Sequence, residues 1–163
     1  MIGDSAADRV RPVVRSAVPS DLPTVLSLLE ASDLPADGVE DWLDHFRVAE
    51  WDGAVVGVAG MELYEDGALL RSVAVSEGLN GRGVGGLLVE DVLGRARVAG
   101  VSAVWLLTTT AAGWFPRYGF RVADRSLAPA GVAGSVEFRS ACPASAVAMV
   151  VDGTALASGG TPS

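Results

Sequence analysis

The run Leu69-Leu70-Arg71-Ser72-Val73-Ala74-Val75-Ser76-Glu77-Gly78-Leu79-Asn80-Gly81-Arg82-Gly83-Val84-Gly85-Gly86 reads as a buried strand, a short turn and a glycine-rich loop that opens a helix. Gly81, Gly83, Gly85 and Gly86 leave backbone N–H groups unobstructed where that helix begins. Those donors and the positive end of the helix dipole make a seat for a phosphate or pyrophosphate. The helix is expected over residues 83–99, where Val84, Leu88, Val92, Ala96 and Ala99 recur at near-helical spacing and Gly100 supplies a stop.

Upstream, residues 47–51, 54–65 and 68–76 read as three strands. Asp66-Gly67 between the last two is a strong hairpin signal, because a type I′ turn needs positive φ at both central residues. A two-residue turn there sets Glu65 opposite Ala68, Tyr64 opposite Leu69 and Glu62 opposite Arg71. A three-residue loop would instead put Glu62 and Arg71 on opposite faces. Further out, residues 10–15 suggest a first strand. Ser20 or Asp21 is placed to cap a helix carrying Leu22, Val25, Leu26, Leu28 and Leu29. Residues 37–43 suggest a short helix anchored by Trp42. Downstream, residues 101–108 read as a buried strand, 111–118 as a short helix, 120–123 as a strand, and 144–151 as a final strand after an irregular stretch.

The 163 residues fit one domain. Half are hydrophobic and only a fifth are charged, which excludes a disordered chain. A net charge of -8 argues against a nucleic-acid binder, which needs a basic face. Every basic side chain is an arginine, so a phosphate ligand must be held by local N–H groups and a few guanidinium groups. Cys142 is the single cysteine, which rules out an internal disulfide, and no cluster has metal-ligand spacing. Residues 1–8 read as a loose leader without the apolar core of a signal peptide, residues 9–152 as the folded domain, and residues 153–163 as a flexible tail. No apolar run has the length of a membrane span, so a soluble cytoplasmic protein is expected.

The loop does not give G-x-G-x-x-G with a following acidic ribose partner, and it has no Gly-Lys-Ser/Thr. Its context is more specific. A hairpin precedes it, and Trp114-Phe115-Pro116-Arg117-Tyr118-Gly119-Phe120 follows about 30 residues later. Together these segments resemble the GNAT superfamily of acyl-CoA-dependent N-acyltransferases over roughly residues 10–152. The family loop, Arg/Gln-x-x-Gly-x-Gly/Ala, is similar to Asn80-Gly81-Arg82-Gly83-Val84-Gly85, with Asn80 departing at the first position and Arg82 able to compensate. Three segments look like the arsenic-resistance N-acetyltransferase branch: Leu69-Leu70-Arg71-Ser72-Val73-Ala74-Val75, Leu106-Leu107-Thr108-Thr109-Thr110-Ala111 and Cys142-Pro143-Ala144-Ser145-Ala146. That branch implies a role in arsenic detoxification, with an arsenic-containing amino acid as one acceptor.

The resemblance implies an α/β (α+β) fold, with a mixed, mostly antiparallel central sheet and helices on both faces. It implies acetyl-CoA as co-substrate, with pantetheine along Val73 and Val75 and the pyrophosphate on Asn80, Gly81, Arg82, Gly83, Val84, Gly85 and Gly86. The N–H near Val75 is the expected oxyanion donor. Where many members carry a thiolate-protonating tyrosine this chain has Phe115, and Tyr118 lies three residues on along nearly the same helical face. Thr108 stands where the family commonly has an asparagine. Dimers are common in the family, so a homodimer is one expectation.

Direct attack of an amine on a thioester needs alignment, a proton acceptor and oxyanion stabilisation. Glu62 is the candidate base, directly or through water, with Arg71 gripping an anionic group of the substrate. The same two residues also read as a structural ion pair, since a charge among Val56, Val58, Leu69 and Val73 must be paired or face a cavity. Both readings stand. His45 reads as a surface or structural residue, Cys142 as a small buried apolar one, and the four tryptophans as core. Arg117, Arg121, Arg125 and Arg139 read as solvated, with one available to the adenosine 3′-phosphate. The activity expected is acetyl transfer to the primary amine of a small metabolite or toxin, with no metal, nucleic acid or membrane partner. The alternative is a non-catalytic acyl-CoA-binding regulatory or sensor domain, favoured by Phe115.

Overall fold

A computed structural model describes residues 12–79 and 81–152, so the leader, the tail and Asn80 lie outside the described residues. Seven strands form one sheet: β1 (Val13–Ser16), β2 (Arg47–Trp51), β3 (Ala54–Tyr64), β4 (Gly67–Val75), β5 (Ala103–Thr108), β6 (Arg121–Val122) and β7 (Val147–Asp152). Their order is β1-β2-β3-β4-β5-β7-β6. β4 and β5 run parallel, with Ala68 opposite Val104 and Leu69 opposite Trp105. The pairs β1–β2, β2–β3, β5–β7 and β6–β7 are antiparallel. The helices are α1 (Leu22–Ala31), α2 (Val84–Ala99) and the single turn α3 (Ala130–Ala133). This is the mixed α/β fold that the sequence implies.

The chain divides into two compact units, one taking the residues up to Gly60 with Ser72–Asp91, the other Met61–Arg71 and everything from Val92 on. In the first unit, neighbouring residues of β3 point to opposite faces. A Cβ on Gly57 would come within 2.9 Å of Leu88 and 3.0 Å of Val84, so the first turns of α2 rest on bare backbone there. Val58 instead joins the cluster holding Val25, Leu28 and Leu29 of α1. The two helices therefore cover opposite faces of β3. Phe46 anchors the second face: it is fully buried, and its ring lies over Gly60, where a Cβ would stand 2.3 Å from Cζ.

Several sequence readings need correction in detail. Asp21 makes no side-chain cap to α1. Its carboxylate accepts the Val18 N–H at 2.8 Å and the Arg15 guanidinium at 2.8 and 3.0 Å, which holds it below the usual carboxylate range. The 37–43 helix is a 3-10 turn, Glu40–His45, and its buried residue is Leu43, with Trp42 only half-buried. The 111–118 helix shrinks to the 3-10 turn Phe115–Tyr118, because Pro116 cannot donate within a longer helix. The hairpin turn occupies Glu65–Asp66, one residue earlier than expected, and neither residue has positive φ. The cause is a long-range contact: Asp66 accepts the Gly131 N–H at 2.9 Å, and Gly67 is drawn into β4 where a Cβ would meet the Ala103 carbonyl at 3.4 Å. Sliding a two-residue turn by one position moves facing partners by two residues, so Glu62 and Arg71 keep a common face.

In the second unit, Leu69, Trp105, Phe138, Val132, Ala148 and Val150 form a separate core. The stretch read as irregular is a series of helical turns, Arg125–Leu127, Ala130–Ala133 and Glu137–Ala141, which deliver Val132 and Phe138 to that core.

Because the Phe46 ring is enclosed, it cannot yield cheaply. Gly60→Ala is expected to cost about 1–3 kcal/mol by overpacking, measured as a lower urea midpoint with an unchanged m-value.

Candidate active site

β4 delivers two sets of side chains. Gly67 to Ser72 are all buried, after which Val73 and Val75 are half-buried and Ala74 is buried. The break falls at Ser72, whose φ of 61° is rare for a non-glycine residue inside a strand. Such a conformation costs about 1–3 kcal/mol and persists only where its surroundings impose it.

In the first unit, Ser76 leaves β4 with its N–H on the Val56 carbonyl at 2.8 Å. The chain then turns through Gly78, Gly81 and Gly83, all at positive φ, into α2. Leu87 N–H bonds the Gly83 carbonyl at 3.1 Å. A helix leaves its first N–H groups, here those of Val84, Gly85 and Gly86, without intrahelical partners. Nothing lies within 4 Å of a Cβ built on Gly81 or Gly83, so these glycines border open space beside donors. The Val84 side chain is buried beneath, and only its backbone is offered. Arg82 is exposed and its N–H is tied to the Leu79 carbonyl at 3.2 Å. This surface fits a diphosphate.

In the second unit, Glu62 and Arg71 meet: Arg71 Nη1 donates to Glu62 Oε2 at 2.8 Å, with the two side chains 0% and 1% exposed. Two partners were missed from sequence. Glu137, 3% exposed, brings Oε2 to 3.4 Å from Arg71 Nε. Tyr64 donates its hydroxyl to Glu62 Oε1. Burial, and then that bond to a carboxylate, push the Tyr64 phenol well above its ordinary range, while Arg71 and Arg139 oppose the shift. Two carboxyl groups thus share one buried guanidinium. A Cβ on Gly131 would lie 2.8 Å from Tyr64 Cβ, so α3 clamps the tyrosine in place. Only a lone Glu in the 125–141 stretch was available as a signal for Glu137, and no periodicity marked it as buried.

Beside this cluster an open cleft of about 500 Å³ is lined by Arg125, Arg139, Ser140, Cys142, Pro143 and Ala144. The Cys142 thiol is pushed up to about 12 by burial and by the Glu137 carboxylate. It is therefore a protonated donor to Glu137 at neutral pH, and not a nucleophile. Arg125 is not simply solvated: its Nη2 and Nη1 donate to the Phe138 and Pro143 carbonyls at 2.9 and 3.1 Å.

Thr108 is half-buried and its Oγ1 accepts the Ala111 N–H at 2.9 Å, which leaves the hydroxyl hydrogen to donate. Phe115 is buried, and Tyr118 lies one 3-10 turn later, half-buried with its ring 5.0 Å from Trp114. In a 3-10 turn residues i and i+3 eclipse, so Tyr118 follows Phe115 on one face. His45 packs against Trp42 at 5.9 Å. Among the described residues no group of three or more His, Cys, Asp or Glu is placed to hold a metal. No helix among them is long and apolar enough to cross a membrane.

Removing one member of the buried cluster leaves the others uncompensated. Arg71→Met is expected to cost about 3–5 kcal/mol, read from urea denaturation. A second expectation concerns alkaline pH. A group whose folded pKa is raised favours the protonated, folded form below its unfolded pKa and loses that advantage as pH climbs toward the folded one. For Cys142 the window runs from its ordinary 9.0 to about 12. Stability should fall across that window in urea denaturation, and Cys142→Ala should flatten the fall.

Residues 42–122 match the family model described as an acetyltransferase (GNAT) domain. The amino-acid acetyltransferase of Neisseria meningitidis is 27% identical over 139 residues, 78% of this chain and 31% of that protein. The chain spans less than a third of the length of the curated amino-acid acetyltransferases it matches. N-acetylglutamate synthase from Neisseria gonorrhoeae, solved with coenzyme A and N-acetyl-glutamate, superposes with a TM-score of 0.75 at 22% identity, covering 87% of this chain and 35% of that one. A Mycobacterium tuberculosis protein solved in complex with CoA superposes equally well, TM-score 0.75 at 25% identity, covering 86% and 98%. Sheet order, glycine turn and family match agree: the chain carries an acetyltransferase domain of the GNAT family.

Proposed function

We propose that this chain transfers an acetyl group from acetyl-CoA to the primary amine of a small amino acid. The observation that carries the reading is the glycine turn into α2, where backbone donors face open space. Acetyl-CoA, when bound, supplies the thioester carbon that the amine attacks. The turn 81–86 holds the diphosphate through backbone N–H groups, and Arg82 adds a guanidinium. Asn80 lies in the same turn by sequence. The backbone of Val73 and Val75 takes the pantetheine amides, and an N–H near Val75 donates to the developing oxyanion. Glu62 accepts the amine proton, directly or through water, once the acceptor's anionic group exchanges into the Arg71 pairing. Tyr118 donates a proton to the departing thiolate, and Thr108 donates a hydrogen bond on the coenzyme side.

The amino-acid class is supported by the curated relatives, which are amino-acid acetyltransferases. An arsenic-containing amino acid is a narrower member of that class. A sensor without catalysis drew its support from Phe115, and Tyr118 on the same face weakens that support.

Thiol release from acetyl-CoA, with the twenty L-amino acids, simple amines and arsinate or phosphinate analogues as acceptors, tests the reading; CoA binding without turnover across the panel would sink it. Glu62→Gln is expected to lower kcat about 10²-fold or more, with CoA affinity unchanged and folding verified by circular dichroism. Gly83→Val, which forces a β-branched residue to positive φ and covers the donors, is expected to weaken CoA binding at least tenfold. Undiminished binding by a folded variant would remove the turn from the coenzyme site.

A further inference from the structure

We infer that Tyr64 relays the acceptor's proton to Glu62, as a hydroxyl that takes up one proton while passing on its own. This rests on the acetyltransferase reading with Glu62 as the base, and goes beyond it by naming the group that stands between base and amine. The Glu62 side chain is 1% exposed and each of its oxygens is already met: Oε1 accepts the Tyr64 hydroxyl, and Oε2 accepts Arg71 Nη1 at 2.8 Å. A proton that reaches Glu62 along these bonds comes through one of the two donors. They differ in exposure and in chemistry. The Arg71 guanidinium is enclosed, has no acceptor lone pair and keeps its protons, so it cannot pass one on. Tyr64 is half-buried, and a phenol oxygen accepts one hydrogen while donating another.

The phenol is held where such a transfer needs it. Tyr64 and Glu62 stand two residues apart on β3 and so share a face. The tyrosine packs against the core cluster that contains Leu69, Trp105 and Phe138. A Cβ on Gly131 would lie 2.8 Å from Tyr64 Cβ and 3.1 Å from its Cγ, and the Gly131 N–H is tied to Asp66 at 2.9 Å. Because its phenol is pushed well above the ordinary range, Tyr64 keeps its hydrogen at neutral pH and serves as a carrier, not as a base. Counting charges points the same way. Glu62 and Glu137 both meet the Arg71 guanidinium, so one proton delivered to Glu62 leaves Glu137 and Arg71 as a matched pair. Cys142 donates to Glu137, and Arg139 and Arg125 are the further charged groups that act on Tyr64 and Cys142. In the step, an N–H bond of the acceptor ammonium breaks and an O–H bond forms at Tyr64, whose own hydroxyl proton passes to Glu62 Oε1. The phenol ends neutral, Glu62 ends as a carboxylic acid, and the nitrogen keeps the lone pair that attacks the thioester carbon.

The test follows kcat against pH for the native chain, Tyr64→Phe, Glu62→Gln and the double variant, each with the L-amino acid that the native chain uses best. Tyr64→Phe is expected to lower the plateau of kcat about tenfold or more, with KM for acetyl-CoA unchanged. The double variant should lose no more than Glu62→Gln alone, because the two residues act as one unit. A plateau that Tyr64→Phe retains, with or without a displaced acid limb, overturns the inference while leaving the acetyltransferase reading intact: Glu62 then meets the amine without the phenol. Tyr64→Phe strips Glu62 Oε1 of its donor, so the native chain supplies a second measurement that needs no variant to fold. Its kcat in mixtures of ordinary and heavy water should fall along a curve, the mark of two protons moving together. A straight line, or no fall, overturns the relay. Glu62→Gln at the native rate removes the base and the relay with it. Absence of turnover by the native chain with every acceptor overturns the acetyltransferase reading itself.

Discussion

A guanidinium with no exposed side-chain surface must be met by carboxylates, and Arg71 is met by two. Isolated, that charge would cost several kcal/mol to bury; the second unit is arranged so that it never is. Glu62 comes from the strand before the hairpin, Arg71 from the strand after it, and Glu137 from a turn more than sixty residues later. The hairpin alone satisfies one side of the guanidinium. The other side requires the Glu137–Ala141 turn to close over the sheet, which ties the late segment to the early one electrostatically as well as through the Trp105–Phe138 contact. Hydrophobic residues of similar volume would often be as stable as such a cluster. Stability alone therefore gives no reason for it.

The first unit works by subtraction. Gly57 and Gly60 carry no side chain because α2 and the Phe46 ring occupy the space a Cβ would need. Lowering the start of α2 onto β3 sets where its leading N–H groups lie, shortly after the end of β4. The arginine clasp from Arg47 to Asp91, 2.7 Å from Nε to Oδ1, holds the middle of the same helix to β2. A seat made from backbone donors depends on such rigid placement, since it has no long side chains with which to adapt.

How much of this was legible in the sequence follows from the range of each signal. The strands at 47–51, 54–64 and 67–75 and the helix at 84–99 carry local patterns, and they were readable to within a residue or two. The same-face meeting of Glu62 and Arg71 was also readable, because it needs only strand parity and a two-residue turn. The turn's position was not: Gly131, sixty-five residues away, donates to Asp66 and decides it. Glu137 and the cleft were hidden for the same reason. Their chemistry is made by long-range packing of short helical turns whose sequence has neither period 2 nor period 3.6. Tyr118 was placed on the face of Phe115 from spacing alone, and the 3-10 geometry makes the coincidence closer than an α-helix would.

The two units differ in what they ask of the chain. The glycine turn of the first unit offers N–H groups that every residue but proline has, so glycines at the right φ suffice, and the pattern is recognisable even where its first residue is Asn80. The polar side chains of the second unit are spread differently: Glu62 and Arg71 stand on the sheet strands, Arg125 and Arg139 on the 125–144 turns. Arg125 secures the wall of the cleft through the Phe138 and Pro143 carbonyls, and Arg139 is tied by Nε to the Gly134 carbonyl. A short turn held by Ser135 and Gly134 can change its outward residue without disturbing the sheet. The buried cluster has no such freedom, because removing one member alone leaves an uncompensated charge.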